Sequence, residues 1–411
     1  MIKLPILKNE MTASFFFCAF EVTFCVCSIT QQFLPMLPKT RRRIKYLAVF
    51  ILLIHASNSV RNRTYLHRCA LLSHAESPWS KLYHYGDESS FLNLTGLSRQ
   101  AFNQLYYVLF LDMQMQRTGR PQLMHPTGQL GLYLFFIGST MGNKHLCLIF
   151  GITPTVCSRV LNKMMNLVVR KLKRHPFAQV QFPDEDKMAR FARQINQREP
   201  AVNDVIGFMD GVALQSECTS EQIEQNAMYS GYHSDTMVNN IFAYGPDGKV
   251  FLAAINFPGS WHDGSITANI LPYIRNNIGT YKMCVDQGFP RGGDAAYILV
   301  GPISRKQARR LAANLRPYLL RLSNVYVSLR QASEWGMRGL QGSFPRCKKR
   351  LPGSAQKRQL VITGIVLIHN FRTEIVGLNQ INTVFDPEYE MYISLNGYDR
   401  IRRYYFNEDD I

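Results

Sequence analysis

The stretch NDVIGFMDGVALQ, Asn203 to Gln215, sets a short apolar run directly before an Asp-Gly pair. Val205, Ile206, Phe208 and Met209 are residues of a buried strand, and the strand is expected to end on Asp210. Further along, YKMCVDQG (Tyr281 to Gly288) repeats the pattern and ends on Asp286. Between them, TMVNNIFAYGPDGKVFLAAINF (Thr236 to Phe257) holds two β-rich runs around Pro246-Asp247-Gly248, the composition of a hairpin. Helical patterns follow over Ser304 to Arg321 and over VYVSLRQASEWGMRGLQGSF (Val325 to Phe344). The order strand, hairpin, strand, helix, helix predicts a mixed α/β layer with one antiparallel edge.

Upstream the pattern is helical from about Leu92 to Lys173, with turn signals at RTGRPQ (Arg117 to Gln122) and MHPTG (Met124 to Gly128). Within it, one helix should end at Gly151 and a second should start with Thr153 as cap and Pro154 at its first position. Two readings of this pair stand. As a helix-turn-helix it would turn Thr155, Ser158, Arg159 and Lys163 toward a DNA groove; as an ordinary helical hairpin those residues are simply solvated. FPDEDKMARFARQINQREP (Phe182 to Pro200) reads as a connecting helix with an acidic first turn.

Asp210, Asp286 and Glu334, the last on the long helix, are the candidate functional carboxylates. Brought together without cations they would repel one another and raise their own pKa values, unless divalent metal lies between them. Mg²⁺ or Mn²⁺, with hard oxygen ligands and open positions, would suit phosphodiester cleavage or transfer by a pair of ions. The alternatives are equally plain: Asp before Gly is a common turn residue, and Glu334 could be a solvated helix residue.

The formal charge is +18, and it is uneven: residues 1–200 carry net +15 and residues 201–411 net +3. A basic chain of this kind favours a polyanionic partner. SRKQARRLAANLRPYLLR (Ser304 to Arg321) holds six basic residues and no acid, and RCKKR (Arg346 to Arg350) follows the long helix. Arg305, Lys306, Arg309, Arg310, Lys348 and Lys349, together with Arg159 and Lys163, are therefore the candidate DNA-binding residues.

The ordered motifs GFMDG, NNIFAYGPDGKVFLAAINFPGSWHD, CVDQGFP, RQASEWGMRGLQGSFPR and IVLIHNF resemble the nuclease domain of Harbinger-type (PIF/Harbinger) transposases, which are DDE superfamily endonucleases. The resemblance runs from about Phe91 to Arg372. It implies a ribonuclease-H-like fold, a mixed sheet flanked by helices, preceded by an all-α region containing the helix-turn-helix-like pair. It also implies a metal-dependent DNA endonuclease or transposase, with two Mg²⁺ or Mn²⁺ ions on Asp210, Asp286 and Glu334, able to cut and to join strands. Asp263 in PGSWHD matches a further family signature, so His262 and Asp263 are accessory candidates, either for the metal site or for fixing the loop after the hairpin. His369 matches a late His-Asn pair and is read as structural. Two departures stand out: Ser333 where relatives carry an apolar residue before the last acid, and Met337-Arg338-Gly339 after it. The implied partner is double-stranded DNA, with a separate DNA-binding protein and a homo-oligomer as open arrangements. The alternative is a domesticated or inactive DNA-binding protein of the same descent.

Four segments follow: a hydrophobic and basic stretch over 1–75, a helical domain over 90–180, the nuclease domain over 201–372 and a tail over 373–411. MTASFFFCAFEVTFCVCSIT (Met11 to Thr30) is apolar enough to suggest a membrane or secretory segment, but Glu21 sits at its centre. YLAVFILLIHAS (Tyr46 to Ser57) is short for a span. A membrane is therefore disfavoured. KTRRRIK (Lys39 to Lys45) reads either as a nuclear import signal or as a solvated charge run. Nine scattered cysteines form neither a disulfide framework nor a zinc knuckle, and a nuclear location is expected.

Overall fold

Val205–Gln215 forms β1, a strand that runs past Asp210 instead of stopping there. In the computed structural model its partner on one side is β3 (Asp235–Tyr244), antiparallel from Phe208↔Tyr244 to Gln215↔Met237. On the other side β5 (Lys282–Val285) pairs in parallel only up to Met209↔Val285. The buried run does end at Met209, and the half-buried residues after it remain strand because β3 continues to bond them. The structure describes residues 43–44, 46–56, 66, 68–111, 124–310, 312–377 and 379–385. Met11–Thr30, most of KTRRRIK, the RTGRPQ turn and the chain beyond Phe385 lie outside them.

The sheet is mixed. β4 (Val250–Pro258) lies antiparallel on β3, the two-residue β2 (Tyr229–Ser230) pairs with the start of β3, and β6 (Leu299–Val300) continues in parallel from β5. The β3–β4 connection is the expected hairpin: Gly248 has φ 74° and its N–H donates to Gly245 O at 2.9 Å. Alternation along β1 sends Phe208 and Asp210 to one face and Met209 and Gly211 to the other.

Helices cover both faces. On the Met209 face, Met188 and Phe191 of α7 (Glu185–Arg198) and Ile266, Ile274 and Ile278 of α9 (Asp263–Ile278) share one core with Ile241, Met283 and Val285. On the Asp210 face lies α11 (Arg316–Ser343), whose buried Leu329, Ala332, Ser333, Gly336 and Leu340 form one stripe. A Cβ at Gly336 would lie 2.9 Å from the Tyr244 ring, so the missing side chain lets helix and sheet approach. The expected helix over Ser304 to Arg321 is two pieces: α10 (Arg305–Arg310) is separate, and α11 begins at Arg316 with Pro317 in its first turn. α9 was not expected at all; Pro272 inside it and its Ile- and Thr-rich start weaken the helical pattern.

The helices ahead of the sheet pack around Trp79, whose ring lies 5.2 Å from Phe150 and 5.9–6.3 Å from Phe91, Phe102 and Phe135. They are α1 (Pro78–Tyr85), α2 (Glu88–Thr95), α3 (Arg99–Phe110), α4 (Pro126–Ile137), α5 (Asn143–Phe150) and α6 (Pro154–Leu172). α5 ends at Gly151 and Thr153 occupies the cap position of α6, although its side chain makes no capping bond. α8 (Gln222–Met228) precedes β2, and the chain is completed by α12 (Ala355–Val376) and α13 (Gln380–Phe385). The fully buried amide of Asn370 on α12 accepts from Val250 N and donates to Val250 O, both at 2.8 Å, and also reaches Ala178 O and Gln179 O. One side chain thus joins the start of β4 to the segment leaving the first helices.

Contacts divide the chain into a unit ending at Leu71 and one from Leu72 onward. In the first, residues 46–56 are helical. Among the described residues no helix is long and apolar enough to cross a membrane.

Candidate active site

Past Met209 the β5 side of β1 has no strand, because β5 ends at Val285. Asp210 follows Met209 on β1 and Asp286 is the first residue past the end of β5, so the parallel Met209↔Val285 register brings the two side by side at the opening. α11 crosses this opening. Ser333 Oγ lies 3.3 Å from Asp210 Oδ2, and Arg330 reaches both remaining acids: its Nε is 3.6 Å from Asp286 Oδ1 and one terminal nitrogen is 2.7 Å from Glu334 Oε1. Arg330 and Glu334 are one helical turn apart, on the flank of the buried stripe.

Asp263 is the fourth carboxylate. Asn239 on β3 donates to Trp261 O at 2.6 Å and holds the PGSWHD loop, which delivers Asp263 as the first residue of α9. A Cβ built on Gly211 would lie 2.3 Å from Asp263 Oδ1. The glycine beside Asp210 therefore makes room for this carboxylate. His262 is exposed at the cap position of α9 and makes no capping bond.

Electrostatics mark Asp210 as the most perturbed acid. Burial, opposed by the Gly211 N–H that donates to Oδ1 at 2.8 Å, pushes its pKa up to about 6; Asp286 and Asp263 push the same way and Arg330 opposes them. Asp263 is raised by burial and by Asp286, with His262 opposing. His369, by contrast, is buried behind the hairpin, its Nε2 3.2 Å from Gly248 O, and burial lowers its pKa to about 4. It lies on α12 against Gly248 and the Tyr244 ring, in a packing environment.

Hard carboxylate oxygens suit Mg²⁺ or Mn²⁺. As arranged, the acids are tied to α11, and among the described residues no three His, Cys, Asp or Glu side chains are grouped to hold a metal ion. The donor chemistry fits such an ion, and it is the Arg330 guanidinium that lies against Asp286 and Glu334.

The basic residues divide into two groups. Lys306, Arg309 and Arg310 are exposed on α10; the side chain of Arg305 is outside the described residues. Lys348 is exposed, but its neighbours are engaged in packing: Arg346 stacks 4.0 Å over the Phe136 ring, Lys349 donates to Thr140 O at 3.4 Å and Arg350 pairs with Asp235 at 2.8 Å. On α6, Thr155, Ser158, Arg159 and Lys163 share the solvent face; Lys163 donates to Gln129 at 3.0 Å and lines a groove of about 500 Å³ with Asn166, Arg170 and Leu360. Arg330 and the contact of Ser333 with Asp210 were not anticipated from the sequence. The i,i+4 spacing of Arg330 and Glu334 was a signal for half of this arrangement.

Residues 209–370, which contain all four carboxylates, match the family described as DDE superfamily endonuclease. Comparison with curated proteins and with solved structures finds no match.

Proposed function

We propose that the chain is a metal-dependent DNA endonuclease of the Harbinger-type transposase line, with Asp210, Asp286 and Glu334 as catalytic and metal-holding residues. The observation that carries this reading is the parallel register that sets Asp286 beside Asp210 while α11 brings Glu334 to the same opening. A strand order of β4-β3-β1-β5-β6, antiparallel then parallel, supports the ribonuclease-H-like assignment. A pair of Mg²⁺ or Mn²⁺ ions on these carboxylates would neutralise charge on the scissile phosphate and supply an activated water. Asp210 must be ionised to take part, and its raised pKa is suited to a cation arriving. Lys306, Arg309, Arg310 and Lys348 bind backbone phosphates and set the position of the duplex. Arg159 and Lys163 on α6 extend the DNA contact in a helix-turn-helix arrangement, and Asp263 supports Asp210 across Gly211. Strand joining would follow at the same site, in the nucleus, with a separate DNA-binding protein or a second copy completing the assembly.

A purified protein that nicks supercoiled DNA with Mn²⁺, while Asp210→Asn does not, supports this function; DNA binding without cleavage in either form overturns it. The second reading, a DNA-binding descendant that no longer cuts, is favoured by one observation: an arginine occupies the space beside two of the three acids.

A further inference from the structure

We propose that Arg330 is a positioning residue that serves as the resident counter-cation of the carboxylate site: it holds Asp286 and Glu334 in the metal-free protein and is released toward a DNA phosphate when metal binds. The inference rests on the endonuclease reading above and adds a role for a residue outside the carboxylate set.

Arg330 is the cation that touches two of the acids at once, at 3.6 Å and 2.7 Å. Arg291 also lies in the field of Asp286, but one of its terminal nitrogens donates to Pro302 O and it makes no ion pair with the acids. Four carboxylates at one opening repel, and a guanidinium between two of them relieves that repulsion without metal. Because arginine cannot lose its proton in a protein, an incoming metal displaces it by competition for the carboxylates and not by deprotonation.

The local structure permits the exchange. Leu329 and Ser333 are buried on the stripe of α11, and Ser333 Oγ also bonds Arg330 O at 2.7 Å, so the backbone at 330 is fixed. The side chain itself is 28% exposed, and Asp286 and Glu334 are 42% and 44% exposed, so the guanidinium can turn outward without opening the core. Its planar fork, which here gives one nitrogen to each of two carboxylates, is shaped to take up a phosphate with two donors at once. A released Arg330 would stand at the opening beside Asp286 and Glu334, where a bound phosphate could take it up.

The test uses the full chain and Mn²⁺ alone, titrated by calorimetry without DNA, for the wild type, Arg330→Gln and Arg330→Lys. Removing the competing cation should tighten Mn²⁺ binding of Arg330→Gln about five- to tenfold, with Arg330→Lys between. The metal-free melting temperature should fall and the rise on adding Mn²⁺ should grow. Cleavage at saturating Mn²⁺ should fall, because the phosphate contact is lost. If the wild type binds Mn²⁺ and Arg330→Gln binds it equally or more weakly, the counter-cation role is overturned and the endonuclease reading stands. If neither protein binds Mn²⁺, both are overturned.

Discussion

The carboxylate of Asp263 occupies the space that a side chain at Gly211 would need, 2.3 Å from the position of its Cβ. The β1 glycine after Asp210 is thereby coupled to the first residue of α9, and Asp263 is held where its charge acts on Asp210.

Gly211→Ala should force Asp263 away from Asp210 and cost about 1–3 kcal/mol in urea unfolding. DNA nicking should fall with it. Asp263→Ser in the same chain should recover most of the stability but not the activity; a fully additive double variant would show that the two residues are not in conflict.

Asp210→Asn should raise the melting temperature of the metal-free protein at pH 7 while abolishing Mn²⁺-dependent cleavage. The folded pKa near 6 exceeds the unfolded 3.8, so the ionised carboxylate is a cost of folding that is fully present above about pH 6 and disappears below about pH 4. The stabilisation by Asn should follow that window in melts taken across pH. An unchanged or lowered melting temperature at pH 7 would contradict it.

His369 acts in the opposite direction. Its folded pKa of about 4 lies below the ordinary 6.5, so acid protonates the unfolded chain first and stability is lost as pH falls from 6.5 toward 4, by roughly 3 kcal/mol at most. His369→Gln should flatten this part of the stability curve. Measuring it in the Asp210→Asn background separates the two titrations.

The two basic groups should separate in binding experiments. Replacing Lys306, Arg309 and Arg310 by Gln should reduce the slope of log affinity for duplex DNA against log salt by about 3. Arg346→Ala should leave the slope unchanged and cost about 1–2 kcal/mol of stability, because its guanidinium packs on Phe136.

That division could not be read from charge alone. RCKKR looks uniformly cationic, and only the proximity of Phe136, Thr140 and Asp235 shows which members pack and which remain exposed. The hairpin, the strand carrying Asp210 and the strand that ends just before Asp286 are legible because apolar runs and Pro-Asp-Gly are local signals. The end of β1 was misplaced because its last residues are held by pairing with β3, a non-local cause. α9 was hidden by Pro272, and Arg330 was overlooked because its contact with Asp286 depends on two elements meeting.

The bonds between Asn370 and Val250 span 120 residues and bear on the order of folding. A ribosome releases the hairpin before α12, so the N–H and C=O of Val250 at the start of β4 are left to water until Asn370 emerges. The carboxylates of Asp210, Asp286 and Glu334 are all synthesised by then. The bond that closes the hairpin end of β4 is therefore supplied by a residue made after all three acids, and a nascent chain stopped before α12 would carry Asp210, Asp286 and Glu334 without it.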